Sequence, residues 1–462
     1  MTPPGLSLVS APEPQWWRPE PDAAGAVAGV ARTEPLASGA AGSRVPFWAL
    51  MSFTFVLLIA PQNLFPALRP FRVGMLTAGL GLAALLVDRL GRGLPITRAT
   101  REIKIAAALL VWAIVTVPFS YWPGGSIGLL TDLYLKTLAI FLLIANVVST
   151  ADRLRKVAWA LTLMTMPIAM KGVENFLSGV YVRGGVGQAV KRIVGYEAPL
   201  TQNPNDLALV LNLILPLTVA LFLITRSASA RTCLFGVAAL QVVGIVVTFS
   251  RAGFLTLATT LAVCVLTSSG RLDRRWSWGL LILAIVCVPL LPADYVSHLF
   301  TITDIDKDPT GSAQDRWAQQ VAAIGYVASH PLIGAGIGQN ILAMNEALGP
   351  VWLMVHNAYL EYAIDLGLPG LALFVLLLVG SVRNAGRAAR LAATRPGGRE
   401  LSVLANGIRS SLLAFAVAAF FSPVAYHFHF YYFAGLAIAA RAIAEGDAGA
   451  APLELQADGE QP

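Results

Sequence analysis

The sequence predicts an all-α, polytopic membrane protein with about twelve transmembrane helices. Of its 462 residues, 56% are hydrophobic and only 13% are charged. A soluble domain is typically about 45–50% apolar and about 25% charged. The excess of apolar residues falls in long runs, and a helix needs roughly 20 such residues to cross a bilayer. Composition and patterning together therefore favour a membrane protein over a soluble one.

Twelve apolar runs define the predicted spans, although several are short for a bilayer. They lie at 46–60, 73–88, 105–120, 133–148, 157–176, 206–225, 232–249, 254–269, 278–292, 358–380, 403–421 and 430–445. Together they predict a transmembrane domain over 46–445. Residues 1–45 are rich in Pro, Ala and Gly and lack the apolar core of a signal peptide, and residues 446–462 are polar. Both ends are expected to be disordered tails.

Basic residues in the short loops predict the orientation of the spans. Counted along the sequence, 18 Lys and Arg residues lie in loops 88–104, 149–156, 226–231, 270–277 and 381–400. The alternate loops hold only 8, at 61–72, 121–132, 177–204, 250–253, 293–357 and 422–429. Because cytoplasmic loops carry the excess of Lys and Arg, the first set and both tails are predicted to be cytoplasmic. The net charge of +7 then reflects membrane anchoring and not nucleic-acid binding.

The second set of loops, called the outward loops below, would face away from the cytoplasm. Chemistry on these loops would have no direct access to ATP or nucleotide sugars. No metal or other cofactor is predicted there either. Asp304, Asp306 and Asp308 have the spacing of a calcium loop, but Pro309 stands where such a loop needs its turn glycine. The three cysteines all fall in apolar runs, which argues against disulfides and a cysteine metal site.

The long outward segment 293–357 is expected to contain an amphipathic helix. Ser312 and Asp315 have capping-box spacing, and Pro331 should end the helix. Apolar residues recur on one face at Trp317, Val321, Ile324 and Ala328. Such a helix suits the membrane plane or the cover of a cavity. Arg316 lies in its first turn, where a solvated surface arginine is the alternative to a functional role.

Alternating glycines follow this helix in the sequence GAGIGQN at residues 334–340. The last glycine is one residue early for a dinucleotide fingerprint, and no strand is expected before it. Glycines at this spacing permit tight turns and close backbone approach. We therefore predict a packed turn.

Positive charge on the outward loops runs against the orientation rule and needs a reason. Arg183, Lys191 and Arg192 lie in one outward loop, and Arg251 lies in another of only four residues. An anionic ligand at the membrane surface is one explanation, and contact with lipid headgroups is the other.

The segment VHNAYLEY at residues 355–362 places a titratable imidazole at the rim of a predicted span. His356 is neutral near pH 7 at its usual pKa, so it could accept a proton from a substrate hydroxyl. Asn357, beside it, adds an amide. This position suits proton chemistry on a lipid-borne substrate.

The order of these motifs resembles the O-antigen ligase and polymerase superfamily of bacterial envelopes. They are SRAG at 250–253, the Arg-Trp helix, HPLIGAG at 330–336, HNAYLE at 356–361 and GLPG at 367–370. The signature region covers roughly 190–375, and twelve spans suit the ligase branch.

The resemblance implies an inverting, metal-independent glycosyltransferase at the periplasmic face of the inner membrane. The donor would be a glycan on undecaprenyl diphosphate, and the acceptor of a ligase would be lipid A-core or another glycan. By analogy, Arg192 and Arg251 would hold the diphosphate and His356 would be the catalytic histidine. Further substrate contacts are expected at Arg183, Lys191, Arg316 and Asn357.

Two alternatives stay open. A polymerase of the same superfamily would pass the glycan to a second lipid-linked repeat. A transporter would also fit a polytopic chain, but the sequence lacks paired broken helices in matching halves.

Overall fold

Helices dominate the parts of the chain that the structure describes. The structure, a computed structural model, describes residues 43–181, 192–267, 275, 278–279, 282, 312–350 and 352–449. Within these ranges there is no β-strand, and one isolated bridge joins Tyr181 to Ile193. The predicted all-α class is confirmed.

The α-helices of the described ranges, in chain order, are α1 Arg44–Ile59, α2 Pro61–Leu64, α3 Val73–Gly91, α4 Arg101–Thr116, α5 Pro123–Leu129, α6 Leu135–Val147, α7 Ala151–Leu177, α8 Pro204–Ile224, α9 Ala228–Val246, α10 Arg251–Thr267, α11 Ser312–Ser329, α12 Asn340–Leu348, α13 Ala358–Ala393, α14 Arg399–Ala418 and α15 Phe428–Gly449. Short 3₁₀ segments at Pro66–Phe71 and Val117–Phe119 precede α3 and follow α4. A π-helical turn, Leu130–Tyr134, joins α5 to α6.

Seven helical stretches among the described residues are long and apolar enough to cross a membrane. They are Pro66–Gly91, Arg101–Phe119, Pro123–Val147, Pro204–Ile224, Ala228–Val246, Ala358–Ala393 and Arg399–Ala418. Two shorter apolar helices lie at Arg44–Ile59 and Arg251–Leu266. A multi-pass membrane protein is thus supported, whereas the count of twelve is not confirmed. One predicted run, 278–292, falls almost entirely outside the described residues, as do residues 1–42 of the predicted tail 1–45 and residues 450–462 of the predicted tail 446–462.

The third of these spans, Pro123–Val147, shows that an apolar run can mark only part of a helix. The sequence predicts a span over 133–148 and a loop over 121–132. In the structure, helix begins already at Pro123 and continues to Val147. The outward loop there is therefore mostly helical, and contacts such as that of the Ser126 hydroxyl with Ile337 O outweigh the low helix propensity of its glycines.

Polar contacts join the outward loops in pairs. The amide of Asn63 donates to the carbonyl of Glu197 at 2.6 Å. The backbone N–H of Tyr121 donates to Ala335 O at 3.0 Å. These contacts join 61–72 to 177–204 and 121–132 to 293–357, pairs that the basic-residue count had placed on one side.

Contacts also join segments on the side that is rich in basic residues. Arg153 donates to the carbonyl of Ser43 at 3.1 Å, which ties the start of α7 to the start of α1. Arg155 lies 3.4 Å from the carboxylate of Glu400 at the start of α14. Each of these four contacts therefore joins segments that the basic residues assign to the same side.

The glycine-rich turn after α11 is packed against α13, as predicted. Gly334, Gly336 and Gly338 all have positive φ, at 72°, 92° and 76°. Their neighbourhood is held by bonds from Gly336 N to Asp365 O at 2.9 Å and from Gly338 N to the Asp365 carboxylate at 2.8 Å. Asp365 is fully buried, so this turn is fastened to the interior of the bundle.

Replacing Gly336 by alanine should destabilise the protein by about 1–3 kcal/mol. A Cβ on Gly336 would clash with the side chain and Cα of Ser120, and its φ of 92° is unfavourable for alanine. We expect a lower midpoint of thermal unfolding in detergent. Gly325→Ala is the matched control, because that glycine lies in α11 with open space around its Cβ position. Equal midpoints for Gly336→Ala and wild type would contradict the packing described for this turn.

Candidate active site

A single amide oxygen joins two of the basic segments. Asn205 lies in the first turn of α8. Its Oδ1 accepts a hydrogen bond from the guanidinium of Arg192 at 2.6 Å and another from the hydroxyl of Ser250 at 2.7 Å. An amide oxygen has two lone pairs, so it can hold both donors at once. Arg192 and the turn that carries Arg251 therefore lie side by side.

The local sequence explains why Asn205 stands at this point. Asn203 caps α8, since its side chain accepts from the N–H of Asp206 at 2.9 Å. Pro204 occupies the first helical position, where its missing N–H costs nothing. Asn205 is consequently fixed on the first turn of a helix that is otherwise almost entirely apolar and buried.

Arg251 is the first residue of α10, a position set by the serine before it. The Ser250 hydroxyl accepts from the N–H of Gly253 at 3.1 Å. Asn212 of α8 donates to the carbonyl of Gly253 at 3.0 Å. A Cβ on Gly253 would lie 2.6 Å from that of Ala208, so only glycine permits this close contact of α8 and α10. Arg251 is thus held at the positive end of a helix dipole, which favours an anionic ligand.

The loop that carries Arg192 is tied down on the bundle. The hydroxyl of Tyr196 donates to Ile59 O at the end of α1, at 2.9 Å. Within the loop, Gly195 N donates to Gln202 O at 3.1 Å. Asn63 binds the same loop at Glu197, as described above. These contacts limit the positions that Arg192 can adopt.

His356 is half-buried and lies close enough to Arg316 and Arg192 for their charges to act on it. Its Nδ1 lies 3.1 Å from Met354 O, and because a carbonyl only accepts, this contact assigns the proton to Nδ1 and leaves Nε2 unprotonated. Burial lowers the pKa of His356, and the positive charges of Arg316 and, more weakly, Arg192 lower it further. The imidazole is therefore neutral at pH 7, as a general base must be.

Asn357 has a structural role, the capping of α13, that was not predicted from the sequence. Its side chain accepts from the N–H groups of Tyr359 at 3.0 Å and Leu360 at 3.2 Å, so it caps α13. The cap fixes the backbone next to His356. Because the carbonyl oxygen of Asn357 is engaged there, the substrate contact predicted for this residue stays a prediction.

Arg316 approaches His356 from α11, the amphipathic helix that the sequence predicted over the same residues. Ala323 and Tyr326 of α11 are buried in a small apolar cluster with Met344, Val355 and Ile364. Val355 directly precedes His356. The cluster thereby positions the half-buried Arg316 and the histidine relative to each other.

Two of the basic residues predicted to contact the substrate fall outside the described parts of the chain. Arg183 and Lys191 lie outside the described residues, as do Asp304, Asp306 and Asp308. Among the residues that are described, no cluster of three or more His, Cys, Asp or Glu could hold a metal ion.

Sequence reasoning missed the residues that link the site together. Neither Asn205 nor Ser250 of the SRAG motif is assigned a role from the sequence, although an amide in the first turn of a very apolar helix is a usable signal. The buried acids of α13 were also missed. Glu361 accepts from Ala425 N at 3.1 Å, and Asp365 accepts from the Tyr426 hydroxyl at 3.1 Å, so both fasten the outward loop 422–429.

A comparison with protein families gives a match over the centre of this site. Residues 236–375 match the family model described as O-antigen ligase. The match supports the O-antigen ligase superfamily for this chain. It begins in α9, ends in α13, and includes Arg251, Arg316, His356 and Asn357. No curated protein sequence matches the chain.

The O-antigen ligase match supports a membrane enzyme of the glycosyltransferase type that acts in polysaccharide biosynthesis. It gives no support to the transporter alternative. The loop with Arg192 and the first turn of α8 with Asn205 precede the matched residues. In this chain, the hydrogen bonds of Asn205 connect that preceding segment to the O-antigen ligase match.

Proposed function

We propose that this protein transfers a glycan from undecaprenyl diphosphate to an acceptor hydroxyl at the periplasmic face of the inner membrane. One observation carries the proposal. Asn205 holds Arg192 beside the turn of Arg251, and the charges of Arg192 and Arg316 act on His356. Two cations that suit a diphosphate thus act on a neutral base, and the turn of Arg251 lies beside one of them.

The arginines would bind the leaving group. Guanidinium groups donate paired hydrogen bonds to phosphate oxygens, and Arg251 adds the dipole of the α10 N-terminus. As the bond between the sugar C1 and the phosphate oxygen breaks, its electron pair stays on the diphosphate. Fixed positive charges then stabilise the transition state more than the ground state. This role needs no metal ion.

His356 would activate the acceptor. Its Nε2 takes the proton of the acceptor hydroxyl while that oxygen forms a bond to C1 on the face opposite the departing diphosphate. One bond forms and one breaks at C1, so the configuration inverts. The imidazolium returns its proton to solvent before the next turnover. The predicted substrate contacts of Arg316, Asn357, Arg183 and Lys191 belong to this proposal.

The orientation follows from the basic residues. If the loops rich in Lys and Arg are cytoplasmic, the outward loops with Arg192, Arg251 and His356 face the periplasm. A lipid-linked donor reaches that face without a soluble nucleotide sugar. Membrane lipids and lipid A-core or another glycan acceptor are the remaining partners.

Reconstitution tests the reaction directly. The purified chain in proteoliposomes is given an undecaprenyl-diphosphate-linked glycan and lipid A-core in the presence of EDTA. We expect glycan-capped lipid A-core on a gel. Elongated lipid-linked glycan in place of the capped acceptor would assign the polymerase reaction. Absence of both products from a correctly folded chain would refute the proposed function.

Removing the charge of Arg316 should shift the pH dependence of transfer. In the wild type, we expect the lowered pKa of His356 to put the acid limb of the rate profile below pH 6.5, the usual value for histidine. Arg316→Gln removes a positive charge that disfavours the imidazolium, so the pKa of His356 rises and the acid limb moves to higher pH. The measurement is the initial transfer rate between pH 4.5 and 8.

The control is Arg316→Lys, which keeps the charge and should leave the acid limb close to that of the wild type. An unchanged acid limb in Arg316→Gln would show that the group titrating in the reaction does not sense Arg316, and would remove His356 from the role of base.

A further inference from the structure

The amphipathic helix α11 packs against the rest of the protein with the face opposite to its large apolar side chains. Gln319, Ala323 and Tyr326 are buried against the rest of the protein. The apolar stripe, defined as Trp317, Val321 and Ile324, is 61%, 53% and 60% exposed. Spacings of four and three residues place the stripe along one side of the helix. Large apolar side chains exposed together mark a surface that something apolar covers.

One attachment of α11 lies at the outward end of a span. The hydroxyl of Tyr326 donates to that of Tyr121 at 3.0 Å. Tyr121 stands between Phe119 and Trp122, whose side chains are exposed. Phe119 ends the span Arg101–Phe119, and exposed apolar residues of that span precede it. Aromatic side chains at a span end are typical of the membrane–water interface.

The second attachment lies just beyond the C-terminal end of α11. The N–H of Leu368 donates to Pro331 O at 2.8 Å. Here α13 is kinked at Gly367, whose φ is 68°, and a Cβ on that glycine would clash with Leu332 O. Leu332 and Leu368 are both exposed. From this kink, α13 continues as a span with further exposed apolar side chains, at Leu376 and Val379.

We propose that α11 lies on the lipid surface at the outward end of the spans, with the apolar stripe inserted among the lipids. One attachment holds α11 at the end of the span Arg101–Phe119, and the other holds it at the kink within Ala358–Ala393. Both spans expose apolar side chains next to these points, so the stripe continues those surfaces. Trp317 suits the interface, and Arg316 at the edge of the stripe lies at the level of the phosphates. The occupant of the stripe is therefore the bilayer itself. This placement does not depend on the reaction that the protein catalyses.

Spin labels on the full chain test the proposal. In a variant with Cys233, Cys264 and Cys287 replaced by serine, single labels are placed at Val321→Cys and Ile324→Cys. Asp315→Cys is the matched control on an exposed, charged position of the same helix. The protein is reconstituted in vesicles of phosphatidylethanolamine and phosphatidylglycerol. Collision rates with oxygen, which concentrates in lipid, are compared with those of a water-soluble nickel chelate.

We expect oxygen to dominate at 321 and 324 by several-fold, and the nickel chelate to dominate at 315. Dominance of the nickel chelate at 321 and 324 would place the stripe in water and overturn the proposal. Low collision rates with both reagents would show that protein covers the stripe, either a second copy or residues 268–311, and would overturn it equally.

The unmodified chain gives a second measurement in case the cysteine-free variant does not fold. A phospholipid with a photoreactive group in its acyl chain is added to the same vesicles and activated by light. Mass spectrometry should find lipid adducts on residues 317–324. Adducts on the spans without any on α11 would contradict the proposal.

Discussion

His356→Ala is expected to lower the rate of glycan transfer by about 10²–10⁴-fold, the usual contribution of a positioned general base. The imidazole is neutral because burial and two neighbouring positive charges lower its pKa, and the contact of Nδ1 with Met354 O leaves Nε2 to accept the proton. Alanine removes that acceptor while leaving the cap of α13 at Asn357 intact. The measurement is the single-turnover rate in proteoliposomes, with donor binding measured separately.

The matched control is His427→Ala, which removes another half-buried histidine of the outward loops. The pKa of His427 is also lowered by burial, but no role in transfer is assigned to it. We expect near wild-type transfer from this variant. If His356→Ala retained the wild-type rate with the protein folded and inserted, the assignment of the base would be wrong.

Arg251→Ala is expected to reduce transfer by about 10²–10³-fold, comparable to the loss of one fixed donor to a developing oxyanion. Arg251 is the first residue of α10, and the Ser250 cap and the bond of Ser250 to Asn205 hold this turn of the backbone in place. The loss should appear mainly in the rate at which bound donor is converted to product. Arg251→Lys should recover part of the rate, because the charge returns without the paired geometry.

Arg69→Ala is the control for Arg251→Ala. Arg69 is an exposed arginine of another outward loop and donates only to Gln62 O among the contacts described for it. Its removal tests whether loss of outward positive charge alone slows transfer. A loss of rate as large as that of Arg251→Ala would show that the effect is general electrostatics and would contradict a specific site.

Asn205→Ala extends this prediction to the connection between the two arginine segments. It removes the oxygen that Arg192 and Ser250 share, so both segments lose one anchor. We expect the effects of Asn205→Ala and Arg192→Ala to be less than additive in the double variant, since they disrupt one network. Additive losses would indicate that the two residues act independently.

The sequence predicted the helices well where hydrophobicity alone decides the outcome. Apolar runs marked spans such as α8 and α13, because the bilayer requires long apolar helices with all backbone groups paired. It also predicted the packed glycine turn, since alternating glycines indicate close backbone approach. Boundaries were less accurate, as the helical start at Pro123 shows, because packed turns extended the helix into a polar segment.

Tertiary contacts decided what local patterns could not. The bonds from Asn205 to Arg192 and Ser250 connect residues 13 and 45 positions apart, and no local spacing indicates such a pairing. The periodicity of α11 predicted an apolar face but not which side packs on the protein. Only the buried Ala323 and Tyr326 settle that. For Asn357, by contrast, an asparagine just before a helix was a readable capping signal.

The side-chain oxygen of Asn205, which both Arg192 and Ser250 contact, also constrains the design of chimaeras between related proteins. The loop with Arg192 and the start of α10 are far apart in the chain but are fastened to the same atom. If a chimaera takes α8 and one of these two segments from a relative, the remaining segment loses its hydrogen bond to Asn205. Swaps intended to change which glycan is recognised should therefore move the loop, the first turn of α8 and the SRAG segment together, as one transplantable unit.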